Sequence, residues 1–235
     1  MITARTEYMC SIQRVIAMLR HPENTNLHLH YEAAYAGMPV MEGKGPFVVE
    51  YLEKLRSTLE FALIEYPRVF AFRVDLRLPA HDLIPRESHT NALVERFLAS
   101  FKAKINHNRD VARRVYGYAH GCRVRYVWAR EVASSGRPHY HLVIFLNQDA
   151  FYTVGKINSE NENIRNRLDG AWASALGVPV GMVSGLVEIP ENAVYRIGRN
   201  DLGSQQALFY RASYLCKAAT KHYGDSQHGF GASRI

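Results

Sequence analysis

His139-Tyr140-His141 sets two imidazoles at i and i+2. On a β-strand, residues so spaced project from the same face, close enough to share one ion. The run that follows, Leu142-Val143-Ile144-Phe145, is apolar on both faces and predicts a central strand. Histidines in such a strand need a polar reason to be there. Just upstream, Ser134-Ser135-Gly136 is a turn signal. A hairpin symmetric about Ser135 sets Glu131 directly opposite His139, so a carboxylate joins both imidazoles on one face. Two histidines and one carboxylate suffice to hold a divalent ion and leave coordination positions open. Asp75, an acid in an earlier expected strand, is a second candidate carboxylate, as an acceptor for a free imidazole N–H.

A second group lies near the C-terminus. At 100° per residue, Tyr210, Tyr214, Lys217 and Lys221 form one stripe of an expected helix, nearly opposite the apolar Leu208, Ala212, Leu215, Cys216 and Ala219. A tyrosine hydroxyl can attack phosphorus once a metal polarises the scissile phosphate, leaving a covalent phosphotyrosine. A neighbouring lysine offsets charge developing on the phosphoryl oxygens. Tyr214 is the expected primary nucleophile because Lys217, at i+3, shares its face. Tyr210 lacks such a partner and is at most a second nucleophile. His28-Leu29-His30 repeats the histidine spacing in a polar stretch with no expected carboxylate, and reads as surface.

The formal charge of +7 is concentrated. Between Phe101 and Arg130, eight basic residues face a single acid, Asp110. Within that window Arg109, Arg113, Arg114, Arg123 and Arg125 are expected to contact phosphates, with Lys221 beyond it. Clustered positive charge attracts a polyanion by Coulomb forces and counterion release. Arg123 and Arg125 share strand parity with Glu131 and are expected to border the metal site.

These groups need elements to hold them. Helices are predicted at about 8–19, 48–65, 88–105, 161–176 and 204–222, and strands at about 69–78, 123–131, 139–147 and 184–189, with a loop around Pro22, Asn24 and Asn26. From residue 67 the order is β-α-β-β-α-β and then a helix. That is an α+β, split-βαβ (ferredoxin-like) arrangement: a largely antiparallel sheet with helices on one face and the other free for a ligand. Residues 1–66 read as a helical N-terminal extension, too small and too broken by Gly and Pro for a separate core, and 67–235 as the catalytic domain. Helix 48–65 is expected to cover the apolar stripe of the last helix.

Hydrophobic residues at 47% and charged residues at 22% exclude a disordered chain. No apolar run approaches the roughly 18 residues of a membrane helix, and Arg5, Glu7, Gln13 and Arg14 interrupt any signal-peptide core. Cys10, Cys122 and Cys216 form no CxxC pair. The expectation is a soluble protein of a reducing cytoplasm.

Glu131, His139-Tyr140-His141 and then Tyr214-x2-Lys217 resemble the HUH endonucleases, in an order similar to the rolling-circle replication initiators. Trp128-Ala129-Arg130-Glu131, Pro138-His139-Tyr140-His141, Ser213-Tyr214-Leu215-Cys216-Lys217 and Phe230-Gly231-Ala232-Ser233-Arg234 resemble the inovirus gene-two-like replication proteins of filamentous phages and prophages, from roughly residue 45 to the end. The resemblance implies site-specific nicking of single-stranded or hairpin origin DNA. It also implies one Mg²⁺ or Mn²⁺ at the histidines and a 5′-phosphotyrosyl intermediate. No GxxxxGK[ST] occurs, so unwinding falls to a host helicase, with a host polymerase extending the strand. Rival readings are a non-cleaving DNA- or RNA-binding sheet using Tyr116, Tyr118 and Tyr126, a zinc hydrolase, and an HUH transposase- or relaxase-type strand transferase.

Overall fold

The computed structural model describes residues 19–79, 84–85, 89–132, 136–156 and 162–234. The expected helix at 8–19, apart from Leu19, and the Ser134-Ser135 turn lie outside them.

The first described segment is extended, not the loop expected from its Pro and Asn residues. Strands β1 (Arg20–His21) and β2 (Asn24–His30) pair antiparallel, β3 (Ala34–Tyr35) and β4 (Met38–Pro39) make a small ribbon, and β5 (Phe47–Val48) completes the ladder on β2. Local turn signals do not report a partner strand some twenty residues away. His28 also departs from the surface reading. Its backbone N–H and its Nδ1 meet the Glu50 carboxylate at 3.0 and 2.6 Å.

Helix α1 (Val49–Glu65) buries Tyr51, Leu52, Leu55, Leu59, Ala62 and Leu63, the i/i+3/i+4 stripe legible in the sequence. Pro67 follows and prevents its continuation. Next come β6 (Arg68–Leu76), α2 (Ala92–Tyr116), β7 (Arg125–Val132), β8 (Pro138–Asn147), α3 (Ile164–Leu176), β9 (Val187–Glu188) and β10 (Val194–Gly198). Helix α4 (Leu202–Ala212), a 3₁₀ turn at Ser213–Cys216 and β11 (Phe230–Ala232) finish the chain. Asp201 caps α4 by accepting from the Ser204 N–H.

The main sheet runs β10-β6-β8-β7-β11, antiparallel throughout, with β9 also on β6. Removing β11 leaves the split-βαβ order, and β8 is central, as its two apolar faces require. The fourth strand was expected at 184–189. There the structure has only the two-residue β9, and the full pairing is made by β10, which with β11 went unseen because both are short edge strands.

The expected free face does not exist. Phe70, Phe72, Val74, Tyr140, Leu142 and Ile144 pack under α2 and α3. The opposite side of the same strands, with Val69, Ala71, Val127, Val143 and Phe145, is covered by α1, α4 and the 3₁₀ turn. Residues on both sides of the 66/67 boundary therefore share one core, and α1 covers α4 as the apolar stripe of α4 requires.

The edge strand β11 carries a further test. Gly231 lies opposite Trp128, and a Cβ there would sit 2.6 Å from the indole. Gly231→Ala should lower stability by about 1–3 kcal/mol, the range for overpacking a fitted site, as a fall in melting temperature. A melting temperature at or above wild type would show that the strand yields.

Candidate active site

The pleat builds the site. Glu131 pairs directly with His139 in the β7–β8 ladder, the register expected from a hairpin symmetric about Ser135. On the other side of β8, His141 pairs with Asp75 of β6. All four side chains share the face under α1 and α4.

His139 Nε2 and His141 Nε2 lie 3.6 and 3.5 Å from the same Glu131 oxygen, Oε2, and one ligand atom from each residue falls within 4.8 Å of the others. The imidazole rings are 4.9 Å apart and nearly perpendicular. These distances are too long for good hydrogen bonds. Nitrogen and carboxylate donors facing one another unbonded fit a divalent cation, so this cluster could hold a metal ion.

Asp75 fixes one ligand. Its Oδ1 lies 2.8 Å from His141 Nδ1, where Arg73 Nη2 also approaches to 3.0 Å; a proton on Nδ1 bonds the carboxylate and leaves Nε2 as the lone-pair donor turned to Glu131. Arg73 holds Asp75 through two bonds, from Nε to Oδ1 at 2.8 Å and Nη2 to Oδ2 at 2.9 Å. Burial would raise the Asp75 carboxyl, but His141 and Arg73 outweigh it and hold it below its ordinary range. For His141, burial favours the neutral ring, while Asp75 and Glu131 reverse the balance and raise it. Asp75→Asn should weaken Mn²⁺ binding by about 10–100-fold, the usual effect of losing a carboxylate behind a histidine ligand, measured by calorimetry. Unchanged affinity would mean that Asp75 does not orient His141.

The second oxygen of Glu131 faces the C-terminal segment. Lys217 Nζ lies 3.1 Å from Oε1 and donates to the Tyr214 hydroxyl at 2.7 Å. Lys221 Nζ is 3.7 Å from the same Oε1, on a side chain with no exposure, and makes no hydrogen bond among the described residues. Burial pulls this ammonium down to about 8, against the opposing effect of Glu131. Burial would also raise Glu131, yet His139, His141 and Lys221 hold it far below the carboxylate range. One carboxylate thus faces two imidazoles with one oxygen and two lysines with the other.

The expected helix at 204–222 is shorter than the stripe required. The α-helix ends at Ala212, where the buried Ser213 hydroxyl donates to the Tyr210 carbonyl and accepts the Met41 N–H. A 3₁₀ turn follows, in which residues at i and i+3 eclipse, so Tyr214 and Lys217 stay together. Beyond it, an isolated bridge joins Lys217 to Phe47, and the Ala218 N–H donates to the Pro46 carbonyl. Met41, Pro46 and Phe47 therefore pin the tyrosine segment. Lys221 arrives on irregular chain, not on the helical stripe, and its ammonium is buried beside Glu131.

The remaining expected residues lie elsewhere. Tyr210 is 42% exposed on α4 and enters only through its carbonyl. Arg125 is buried and bonded to Glu65 at 2.9 Å. Arg123 reaches the same carboxylate at 3.5 Å. Arg125 is six residues before Glu131 on β7, about 20 Å away, so this pair does not border the metal cluster. Helix α2 packs on the opposite face of the sheet from the site and begins where Thr90 accepts from the Tyr140 hydroxyl. Its Arg109, Arg113 and Arg114 are about 25–33 Å along the axis; Arg109 lies over Phe151 and Arg113 pairs with Asp110.

Arg73 was missed. Beyond Asp75, its guanidinium lies 4.9 Å from the Tyr214 ring centre. The signal was present as Arg73-x-Asp75 on one strand face, beside the Asp75 already singled out as an acceptor.

A sequence family described as the YagK/YfjJ C-terminal domain matches residues 31–233. "Uncharacterized protein YagK" of Escherichia coli (strain K12) is 32% identical over 199 residues, 81% of this chain and 95% of that protein. "Uncharacterized protein YfjJ" of the same strain is 31% identical over 204 residues, 81% of this chain and 96% of that protein. No solved structure matches the chain. Among the described residues, no helix is long and apolar enough to cross a membrane.

Proposed function

We propose that this chain, which belongs to the YagK/YfjJ C-terminal domain family, nicks and rejoins single-stranded DNA at a specific site through a 5′-phosphotyrosine. One observation carries the reading. Lys217 lies between the Tyr214 hydroxyl and a carboxylate that also faces two histidines. A binding-only sheet has no use for that convergence, and a hydrolase delivering water has none for a tyrosine bonded to a buried lysine.

Glu131, His139 and His141 would hold one Mg²⁺ or Mn²⁺, the cation supplying Lewis-acid polarisation of the scissile phosphate. The residues of the chain do the rest. Lys217 donates to the Tyr214 oxygen and orients it for attack, the hydroxyl proton leaving to solvent as the new bond forms. That oxygen forms a bond to phosphorus while the bond from phosphorus to the 3′ oxygen breaks, and the 3′ oxygen takes up a proton as it departs. Attack by an incoming 3′-hydroxyl on the phosphotyrosine reverses the exchange and frees Tyr214. The resemblance to rolling-circle initiators supports initiation of phage or prophage replication in a bacterial cytoplasm, with a host helicase and polymerase continuing.

The test is direct. The protein is incubated with a labelled single-stranded oligonucleotide library and Mn²⁺, then run on a denaturing gel. Label migrating with the protein supports the reading; its absence with every library pool overturns it.

A further inference from the structure

At the far end of β7 from the metal cluster, an open cavity of about 630 Å³ lies between α2 and the residues following β11. Its lining includes Lys102, Arg123, Arg125 and Arg234, with Tyr126 and Ser233. No Asp or Glu lines it. Glu65 reaches Arg123 and Arg125 from outside. Among the described residues no carboxylate pairs with Lys102 or Arg234, so two cations stand there uncompensated. Burial alone lowers the Lys102 ammonium.

The walls are held in place. The Ser233 N–H donates to the Tyr126 carbonyl at 2.9 Å, and the Tyr126 N–H to Ser233 Oγ at 3.3 Å, which extends the β7–β11 pairing to the threshold of Arg234. The Arg123 N–H donates to the Tyr66 hydroxyl at 2.8 Å. Tyr126 offers no free stacking platform, because the Lys102 ammonium lies 4.7 Å from its ring centre. Cations without an open aromatic face suit phosphate oxygens better than bases.

We propose that this cavity is a second DNA-contact site, which binds backbone phosphates of the strand about 20 Å from the scissile position. The site anchors the strand without reading its sequence. The proposal rests on the DNA reading of the chain but not on the nicking chemistry.

The test compares wild type with Lys102→Ala/Arg234→Ala and with the charge-retaining Lys102→Arg/Arg234→Lys. Labelled dT30 is titrated by fluorescence anisotropy at several salt concentrations, with melting temperature as a fold control. The alanine pair should bind dT30 at least tenfold more weakly. Its plot of log K against log salt should be shallower by about 1.4, from two charges at about 0.7 each on a single strand. The charge-retaining pair should bind as wild type does, and adduct formation at saturating oligonucleotide should be the same in all three. Unchanged affinity and slope in the alanine pair overturn the proposal even where the adduct forms, as does a wild type that does not bind dT30. Weakened binding in a protein that forms no adduct keeps this site and overturns the nicking reading instead.

Discussion

Tyr214→Phe should abolish the covalent protein–DNA adduct and leave DNA binding and Mn²⁺ affinity nearly as they were. Only a hydroxyl is removed, and that hydroxyl accepts one hydrogen bond, from Lys217. Its loss should cost about 1 kcal/mol of stability, because the ring keeps its place near Arg73 and His141. Adduct formation should fall by ~10³-fold or more, the scale on which removal of a nucleophile acts. Tyr210→Phe, on an exposed ring, should leave the first nick intact and affect only a second strand transfer. A gel in which the adduct persists in Tyr214→Phe, or vanishes only in Tyr210→Phe, would overturn the assignment.

The second large effect separates the two roles of Glu131. His139→Ala and Glu131→Gln should both remove measurable Mn²⁺ binding, since each deletes one of three donors. Their stabilities should diverge. The His139 side chain is 28% exposed, so its truncation should cost about 1 kcal/mol or less. Glu131→Gln leaves the Lys221 ammonium, with no exposed side-chain surface, without the one carboxylate paired with it among the described residues. Breaking a buried pair from one side costs about 3–5 kcal/mol, a drop in Tm on the order of 10 °C for a chain of this size.

The sign of the pH dependence follows from Lys221. Its ordinary value of 10.5 falls to about 8 in the folded protein. Between those values the unfolded chain binds more protons, so this group's contribution to stability rises with pH. Without Glu131, which props the ammonium up, that window extends to lower pH. The Glu131→Gln deficit should therefore be larger near pH 6 than near pH 9. Equal deficits at both, by thermal melting, would show that Lys221 is not the group left stranded.

Much of the Glu131, His139 and His141 cluster was legible without the structure. The same-face placement of His139 and His141 follows from the two-residue period of a strand. The pairing of Glu131 with His139 follows from counting outward from Ser135, and the ladder bears that count out. The β-α-β-β-α-β order was likewise readable, because period 2 and period 3.6 are local signals that each segment carries by itself.

Other features were decided only by the tertiary structure. Arg73 and Asp75 alternate with Phe72, Val74 and Leu76, a pattern that fits a strand with one wet face. Asp75 was already a candidate acceptor for an imidazole; the docking of α1 and α4 turns that face inward, pairs it with His141 and brings Arg73 to it. Lys221 fits a helical stripe until Ser213 ends the helix, and the strand bridge at Phe47 sends the chain back over the sheet. Arg125 has the parity of Glu131 but is about 20 Å along the strand, and Glu65 at the end of α1 takes its charge. Parity and periodicity fix which way a side chain points relative to its own backbone. Whether it then meets water, a counter-charge or a metal depends on segments distant in sequence, brought there by the burial of the apolar stripes of α1 and α4.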